Sequence, residues 1–281
     1  MKVKRALVSV SDKGGLESFV RGLADLGVEV ISTGGTARHL RDAGLKITGI
    51  SEVTDFPEIM DGRVKTLHPA IHGGILADRS KPEHLKAIAD LGIKPIDLVV
   101  VNLYPFEQTV AQRGVSEADA VENIDIGGPS MVRSAAKNFS GVGIVTDPAD
   151  YETVLEELKK NDAELSLETR RGLAAKAFHH TAHYDSAIAG WFEEQEADFP
   201  PHLMLDLVKV RELRYGENPH QRASWYSEVG ADGSMVGAVE KLHGAELSFN
   251  NLLDLDSARR ALEEFALPAC VIVKHNNPCG V

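Results

Sequence analysis

The chain has 281 residues, 43% of them hydrophobic and 26% charged, with a formal charge of −12 and a pI near 5.4. That length exceeds what one core usually supports, so two domains, or one and a part, is the first expectation. The acidic balance excludes the broad basic field that nucleic acid and anionic membranes demand, and a small anionic ligand would need a local basic pocket.

The N-terminus, MKVKRALVSVSDKGG, has too short an apolar run for a secretion signal or a membrane span. Cys270 and Cys279 are the only cysteines and make no disulfide framework, so a reducing cytoplasm is the expected compartment. Residues 6–10 read as a buried parallel strand, and Leu16, Phe19, Val20, Leu23 and Leu26 recur at helical spacing. Residues 28–31 read as a second strand. They run into Ser32-Thr33-Gly34-Gly35-Thr36 and then a helix that Thr36 is expected to cap and Gly44 to end. A strand, a glycine turn and a helix start in that order suit a phosphate, because backbone N–H groups converge and the helix dipole favours negative charge. Neither GxGxxG nor Walker spacing is present, so a mononucleotide or sugar phosphate is expected rather than NAD or ATP. A lone glycine pair is as often an ordinary connection. Ser11-Asp12-Lys13, at the end of the first strand, tips the balance, since ligands of open parallel sheets bind at the carboxyl ends of the strands.

Residues 62–74, GRVKTLHPAIHGG, carry Arg63, Lys65, Thr66 and His68 in a stretch whose proline and glycines argue against regular helix or strand. The fork of Arg63 and the compact charge of Lys65 together suit an anion, although such a pair alone is commonly a solvated turn. Residues 96–101 form the next strand, ending at Asn102-Leu103-Tyr104-Pro105. Tyr104, before proline, should be extended, with its ring and hydroxyl directed away from the sheet edge.

The run from Asn123 to Pro129, NIDIGGP, leads into a helix with Lys137 about two turns in. Alone, Asp125 would be a cap and Lys137 a surface charge. Residues 141–145 read as a strand and 150–160 as an amphipathic helix, completing an alternating α/β series with a parallel sheet. Residues 167–195 read as one long helix or two stacked ones. His179 and His183 stand at i, i+4 but lack the glutamate of HExxH or a third ligand, so no metal site is expected. Residues 196–202, with Pro200-Pro201, are the linker candidate. Beyond them come short extended runs at 204–210 and 223–226, the polar stretch LRYGENPHQ, a helix over 249–265 and a strand over 269–273 that delivers Lys274-His275 into a Pro/Gly turn.

SVSDKGG, STGGTA, GRVKTLHP, NLYPF, NIDIGGP and RSAAKN together resemble the inosine monophosphate (IMP) cyclohydrolase domain of the bifunctional purine biosynthesis enzymes. LRYGENPHQ and KHNNPCG resemble the start of their aminoimidazole carboxamide ribonucleotide (AICAR) transformylase domain. The resemblance implies an α/β chain: a methylglyoxal synthase-like parallel sheet flanked by helices, with a helical extension, over 1–197, then the incomplete start of a deaminase-like α/β domain over 198–281. It implies ring closure to IMP without cofactor or metal, and formyl transfer with 10-formyltetrahydrofolate as co-substrate of the second domain. It also implies purine ribonucleotide ligands, no nucleic acid or membrane partner, a homodimer and a cytoplasmic location.

Carried over residue by residue, Ser11, Asp12, Lys13, Thr33, Gly34, Gly35 and Thr36 would hold the 5′-phosphate and ribose. Arg63, Val64, Thr66, Val101, Asn102, Ile126 and Gly127 would contact the nucleotide. Lys65 would bind the formyl oxygen as it gains charge, while Tyr104, Asp125 and Lys137 would share proton transfer, with Lys137 first. In the second domain Arg214, Tyr215 and Asn251 match nucleotide contacts, and Lys274 and His275 match a catalytic pair with His275 as base. Ring closure without formyl transfer is expected of this chain, since a half-built second domain should lack its folate pocket. The rival readings are a methylglyoxal synthase-type lyase and a nucleotide-sensing module on the same fold; Lys65 and Lys137 together favour catalysis.

Overall fold

The computed structural model describes residues 1–193, 202–229 and 241–281. The chain divides into two compact units, Met1–Pro200 and Pro201–Val281. Of the expected linker, residues 196–201 lie outside the described residues.

The first unit runs β1 (Arg5–Ser9), α1 (Leu16–Asp25), β2 (Glu29–Ser32), α2 (Gly34–Asp42), β3 (Thr48–Gly49), α3 (Ile50–Thr54), a 3-10 turn (Met60–Gly62), α4 (Pro69–Leu76) and α5 (Pro82–Asp90). It continues through β4 (Leu98–Val101), α6 (Phe106–Val110), α7 (Glu117–Glu122), α8 (Gly127–Lys137), β5 (Gly143–Val145), a second 3-10 turn (Pro148–Asp150), α9 (Tyr151–Lys160) and α10 (Leu167–Glu193). The five strands pair in parallel in the order β3-β2-β1-β4-β5. Every residue of β4 is buried, as it must be in a strand covered by helices on both faces. Leu16, Phe19, Val20 and Leu23 make the buried stripe of α1, and the Phe19 ring stacks on Tyr151 of α9 at 4.5 Å. Each such side chain taken out of water contributes about 1.5–3 kcal/mol. The strand order reverses between β1 and β4, which opens a crevice at their carboxyl ends.

Two local expectations change. Helix α2 starts at Gly34 with Thr33, not Thr36, as its N-cap. Gly34 takes φ +41°, which glycine accepts at little cost. The Thr36 hydroxyl is used elsewhere, donating to the Val10 carbonyl at 2.9 Å and accepting from the Val10 amide at 3.2 Å. The stretch from Pro69, expected to be irregular, is α4: proline at the first helical turn forfeits no hydrogen bond, and the His68 side chain accepts from the Ala70 amide at 3.1 Å. Gly74 belongs inside this helix because a Cβ there would lie 2.8 Å from the Lys94 carbonyl oxygen.

In the second unit β6 (Leu207–Leu213) and β7 (Ala223–Glu228) pair antiparallel, followed by α11 (Phe249–Glu263) and the hairpin of β8 (Ile272–Lys274) and β9 (Asn277–Gly280). Ser248 and Asn251 form a reciprocal cap on α11. Among the described residues no helix is long and apolar enough to cross a membrane.

Candidate active site

A cavity of about 570 Å³ opens at the carboxyl ends of β1, β2 and β4. Ser9, Ser11 and Lys13 reach it from β1, Thr33, Gly35 and Thr36 from the start of α2, and Val101, Asn102 and Tyr104 from β4. Arg63, Lys65 and Thr66 come from the loop before α4, and Asp125, Ile126, Gly127 and Gly128 from the start of α8. These segments, distant in sequence, converge because β1, β2 and β4 are neighbouring strands that end on the same edge.

One side is an anion cradle. The first amides of α2 have no intrahelical acceptor, and they carry the positive end of the helix dipole. Thr33 and Ser9 hydroxyls lie 2.8 Å apart, closing the turn. The Asn102 side chain accepts from the Ser11 amide at 2.6 Å and the Asp12 amide at 3.0 Å, and donates to the Asp12 carbonyl at 3.0 Å. It is thereby engaged in holding the loop that presents Lys13. Asp12 does not line the cavity; its carboxylate accepts from the Gly14 amide at 2.8 Å.

Lys65 connects the two cationic segments. A Cβ on Gly34 would lie 3.4 Å from its Nζ, and one on Gly62 3.6 Å, so the two glycines leave the ammonium room above the α2 turn. Opposite it, Asp125 accepts from the Gly128 amide at 2.8 Å while its own amide donates to the Tyr184 hydroxyl at 2.8 Å. Burial pushes the Asp125 carboxyl above its ordinary pKa, although the Gly128 amide and the Lys65 charge pull the other way. The Tyr104 phenol is raised by burial and then by the negative fields of Asp125 and Glu58. A Cβ on Gly128 would run into the Asp125 carboxylate, and one on Gly127 would come within 2.6 Å of Thr66 Oγ1. The glycine pair of NIDIGGP is therefore required by close approach. At the rim, Arg63 pairs with Glu122 of α7, Nε to Oε1 at 3.3 Å, and holds that carboxyl below its ordinary pKa.

The structure does not bring Lys137 here. Lys137 is exposed in the last turn of α8, ten residues beyond Gly127, which at 1.5 Å per residue is about 15 Å along the axis. The cavity takes the opposite, N-terminal end of that helix. Lys137, expected to lead the proton transfer, therefore does not line this cavity. Val64 and Gly34 also stay out of the lining, Val64 pairing its backbone with Ile59 and Gly34 underlying Lys65.

In the second unit Arg214 lines a shallow depression with His220 and Gln221, and its guanidinium lies over the Tyr215 ring at 5.8 Å. Asn251 caps α11. Lys274 ends β8, and His275 sits in the hairpin turn at φ 53°, both fully outside that depression. His183 Nε2 meets Glu107 at 2.8 Å, joining α10 to α6, and among the described residues no three His, Cys, Asp or Glu side chains gather for a metal ion.

Sequence reasoning missed Ser9, Glu122 and Tyr184. Only Tyr184 carried a usable signal: it continues the stripe Ala177, Thr181, Tyr184 on α10, and a buried tyrosine hydroxyl needs a partner.

A parallel sheet with an anion cradle at its switch point is the architecture of the methylglyoxal synthase-like domains, and residues 15–130 match the model of the MGS-like domain. Residues 135–281, just over half of the chain, match the model described as the AICARFT/IMPCHase bienzyme, and the chain belongs to that family. It is 57% identical to the bifunctional purine biosynthesis protein PurH of Bacillus cereus (strain B4264) over 279 residues, which is 99% of this chain and 54% of that protein. PurH of Bacillus anthracis matches with the same identity and coverage. A crystal structure of ForH is 39% identical, with a TM-score of 0.62 over 68% of this chain and 99% of its own. The chain spans about half the length of the curated relatives it matches.

Proposed function

We propose that the Met1–Pro200 unit is an IMP cyclohydrolase. In this reaction the carboxamide nitrogen of 5-formamidoimidazole-4-carboxamide ribonucleotide attacks its own formyl carbon, the ring closes, and one water leaves. The observation that carries the reading is the single cavity in which a helix-N-terminal cradle, the Lys65 ammonium and the raised Asp125 carboxyl face one another. Its 570 Å³ lies within the usual range for small-molecule sites.

The cradle and Lys13 would hold the 5′-phosphate, leaving the base beneath Lys65. The ammonium would stabilise the formyl oxygen as it becomes an alkoxide, an interaction stronger in the transition state than in the ground state. Asp125, with its pKa raised, is suited to take the carboxamide proton and pass it to the alkoxide; the resulting hydroxyl then leaves as water with the formamide N–H proton as the ring C=N bond forms. Tyr104, whose phenol is raised by burial and then by the Asp125 charge, would donate a hydrogen bond to the same oxygen or to the ring. Holding the folded substrate supplies the rest, because the attack is already intramolecular. The relatives named for purine biosynthesis support the substrate class.

For the longer relatives' second activity the same reading assigns formyl transfer from 10-formyltetrahydrofolate, with Arg214, Tyr215 and Asn251 towards the nucleotide and Lys274 and His275 towards the chemistry, in a cytoplasmic homodimer. The test is formation of IMP from the formylated ribonucleotide by the 281-residue chain, with formyl transfer assayed in parallel. Ring closure without formyl transfer is expected, because Lys274 and His275 are exposed and stand outside both cavities described above. Nucleotide binding without turnover would make the unit a sensing module, and release of methylglyoxal from dihydroxyacetone phosphate would make it a lyase.

A further inference from the structure

Tyr184 lies outside the cavity lining, yet one hydroxyl grips both ends of the turn that carries Asp125. It accepts from the Asp125 amide at 2.8 Å and donates to the Asn123 carbonyl at 3.3 Å. The side chain is only 7% exposed, seated on the buried stripe of α10. Its ring meets Phe106 edge-on, with centroids 6.4 Å apart. Phe106 begins α6 two residues after Tyr104, so the same side chain abuts the segments bearing both proton-handling groups. Nothing about packing requires a hydroxyl here, since phenylalanine would fill the same volume. What the hydroxyl adds is a partner for a backbone amide in a half-buried turn, and a polar group left without one away from water costs more than its bond gains.

We propose that Tyr184 is the positioning residue for Asp125, fixing the turn so that the carboxylate faces Lys65 and Tyr104. The proposal rests on the cyclohydrolase reading for its catalytic consequence, but not for its structural one. Lys65 and Tyr104 face the Asp125 carboxyl from the cavity, and the charge of Asp185 lies close to the Tyr184 hydroxyl.

The experiment is a double-mutant cycle in the 281-residue chain with Tyr184→Phe and Asp125→Asn, read by steady-state ring closure and by NMR titration of the Asp125 carboxyl without ligand. A reacting group displaced by about 1 Å costs on the order of a hundredfold, so Y184F should lower kcat roughly tenfold or more while KM stays within about twofold. In the Asp125→Asn background the same change should cost less than about twofold, because the group it positions is gone. Equal losses in both backgrounds, or an undiminished kcat in Y184F, would overturn the proposal. If Y184F does not fold, 3-fluorotyrosine at position 184 keeps the shape and weakens the acceptor; kcat must then fall, and an unchanged kcat overturns the proposal. If the unaltered chain closes no ring, the cyclohydrolase reading fails separately. The titration then decides: an Asp125 carboxyl titrating identically with and without the Tyr184 hydroxyl refutes the positioning role, and a displaced titration supports it.

Discussion

The two units bury their side chains to very different degrees. Among the described residues, Met1–Pro200 contains the entire buried apolar cluster, from Val3 just before β1 to Tyr184 on α10. In Pro201–Val281 only Gly216 and Ser248 are buried among the described residues, and Leu205, Leu207, Val208 and Tyr226 are half or more exposed. The difference bears on chemistry, because desolvation is what moves a pKa and packing is what holds a carboxylate against a glycine amide. Asp125 has both; Lys274 and His275 stand on an exposed hairpin.

The comparison breaks most visibly in stability. Phe19 is 2% exposed and stacked on Tyr151, so Phe19→Ala should destabilise the first unit by roughly 3–5 kcal/mol through lost burial and the cavity left behind. Leu207→Ala, at a half-exposed strand position, should change stability by no more than about 0.5 kcal/mol. Denaturant unfolding followed by circular dichroism measures both, and similar costs at the two sites would mean that the second unit has a core after all.

Catalysis should divide along the same line. Lys65→Ala removes the ammonium beside Gly34 and should lower ring closure on the order of 10²–10³-fold, the scale of losing an oxyanion donor. His275→Ala and Lys274→Ala should leave ring closure within about twofold, since neither lines the cavity. Lys137→Ala, at the far end of α8, should cost less than Lys65→Ala, and a larger loss would show that Lys137 reaches the substrate by a route this cavity does not include.

A smaller effect sharpens the role of burial. The folded state raises the pKa of Asp125, so it binds that proton more tightly than the unfolded chain does. The group's contribution to stability is then present below the ordinary carboxylate range and lost as pH rises through the raised value. Asp125→Asn should accordingly stabilise the fold at neutral pH, with the gain shrinking as pH falls into the ordinary carboxylate range. Thermal unfolding as a function of pH tests the sign. Destabilisation at neutral pH would mean that Lys65 and the Gly128 amide outweigh desolvation.

The sheet and half of the cavity were legible because they rest on local signals. Continuous apolar runs mark β1 and β4, which are buried on both faces, and the glycine turn after β2 can be read from three residues. Residues 45–95 gave no such signal: β3 is two residues long, and the glycines of α4 look like loop until the Lys94 carbonyl that needs them is in place. The separation of Lys137 from the cavity was not legible, because ten residues of helix translate to a distance only once the cavity is known to sit at the other end. Glu122 and Tyr184 act across 59 residues of sequence, to Arg63 and Asp125 respectively, and no periodicity encodes a contact of that kind.

The smallest expected effect concerns the cavity rim. Arg63 and Glu122 both line the cavity and are both exposed, so in solvent their attraction contributes little to the fold. Its consequence is for binding, because the guanidinium that would meet an anionic ligand is shared with a carboxylate already present. Glu122→Gln keeps the size of the side chain and removes the competing charge. Affinity for IMP should rise by at most roughly fivefold, the scale of an exposed ion pair, and the gain should fade at high ionic strength because salt screens the competition it relieves. Weaker binding in the variant would instead mean that Glu122 orients Arg63 towards the ligand, and that even the exposed rim of the first unit is built as part of its site.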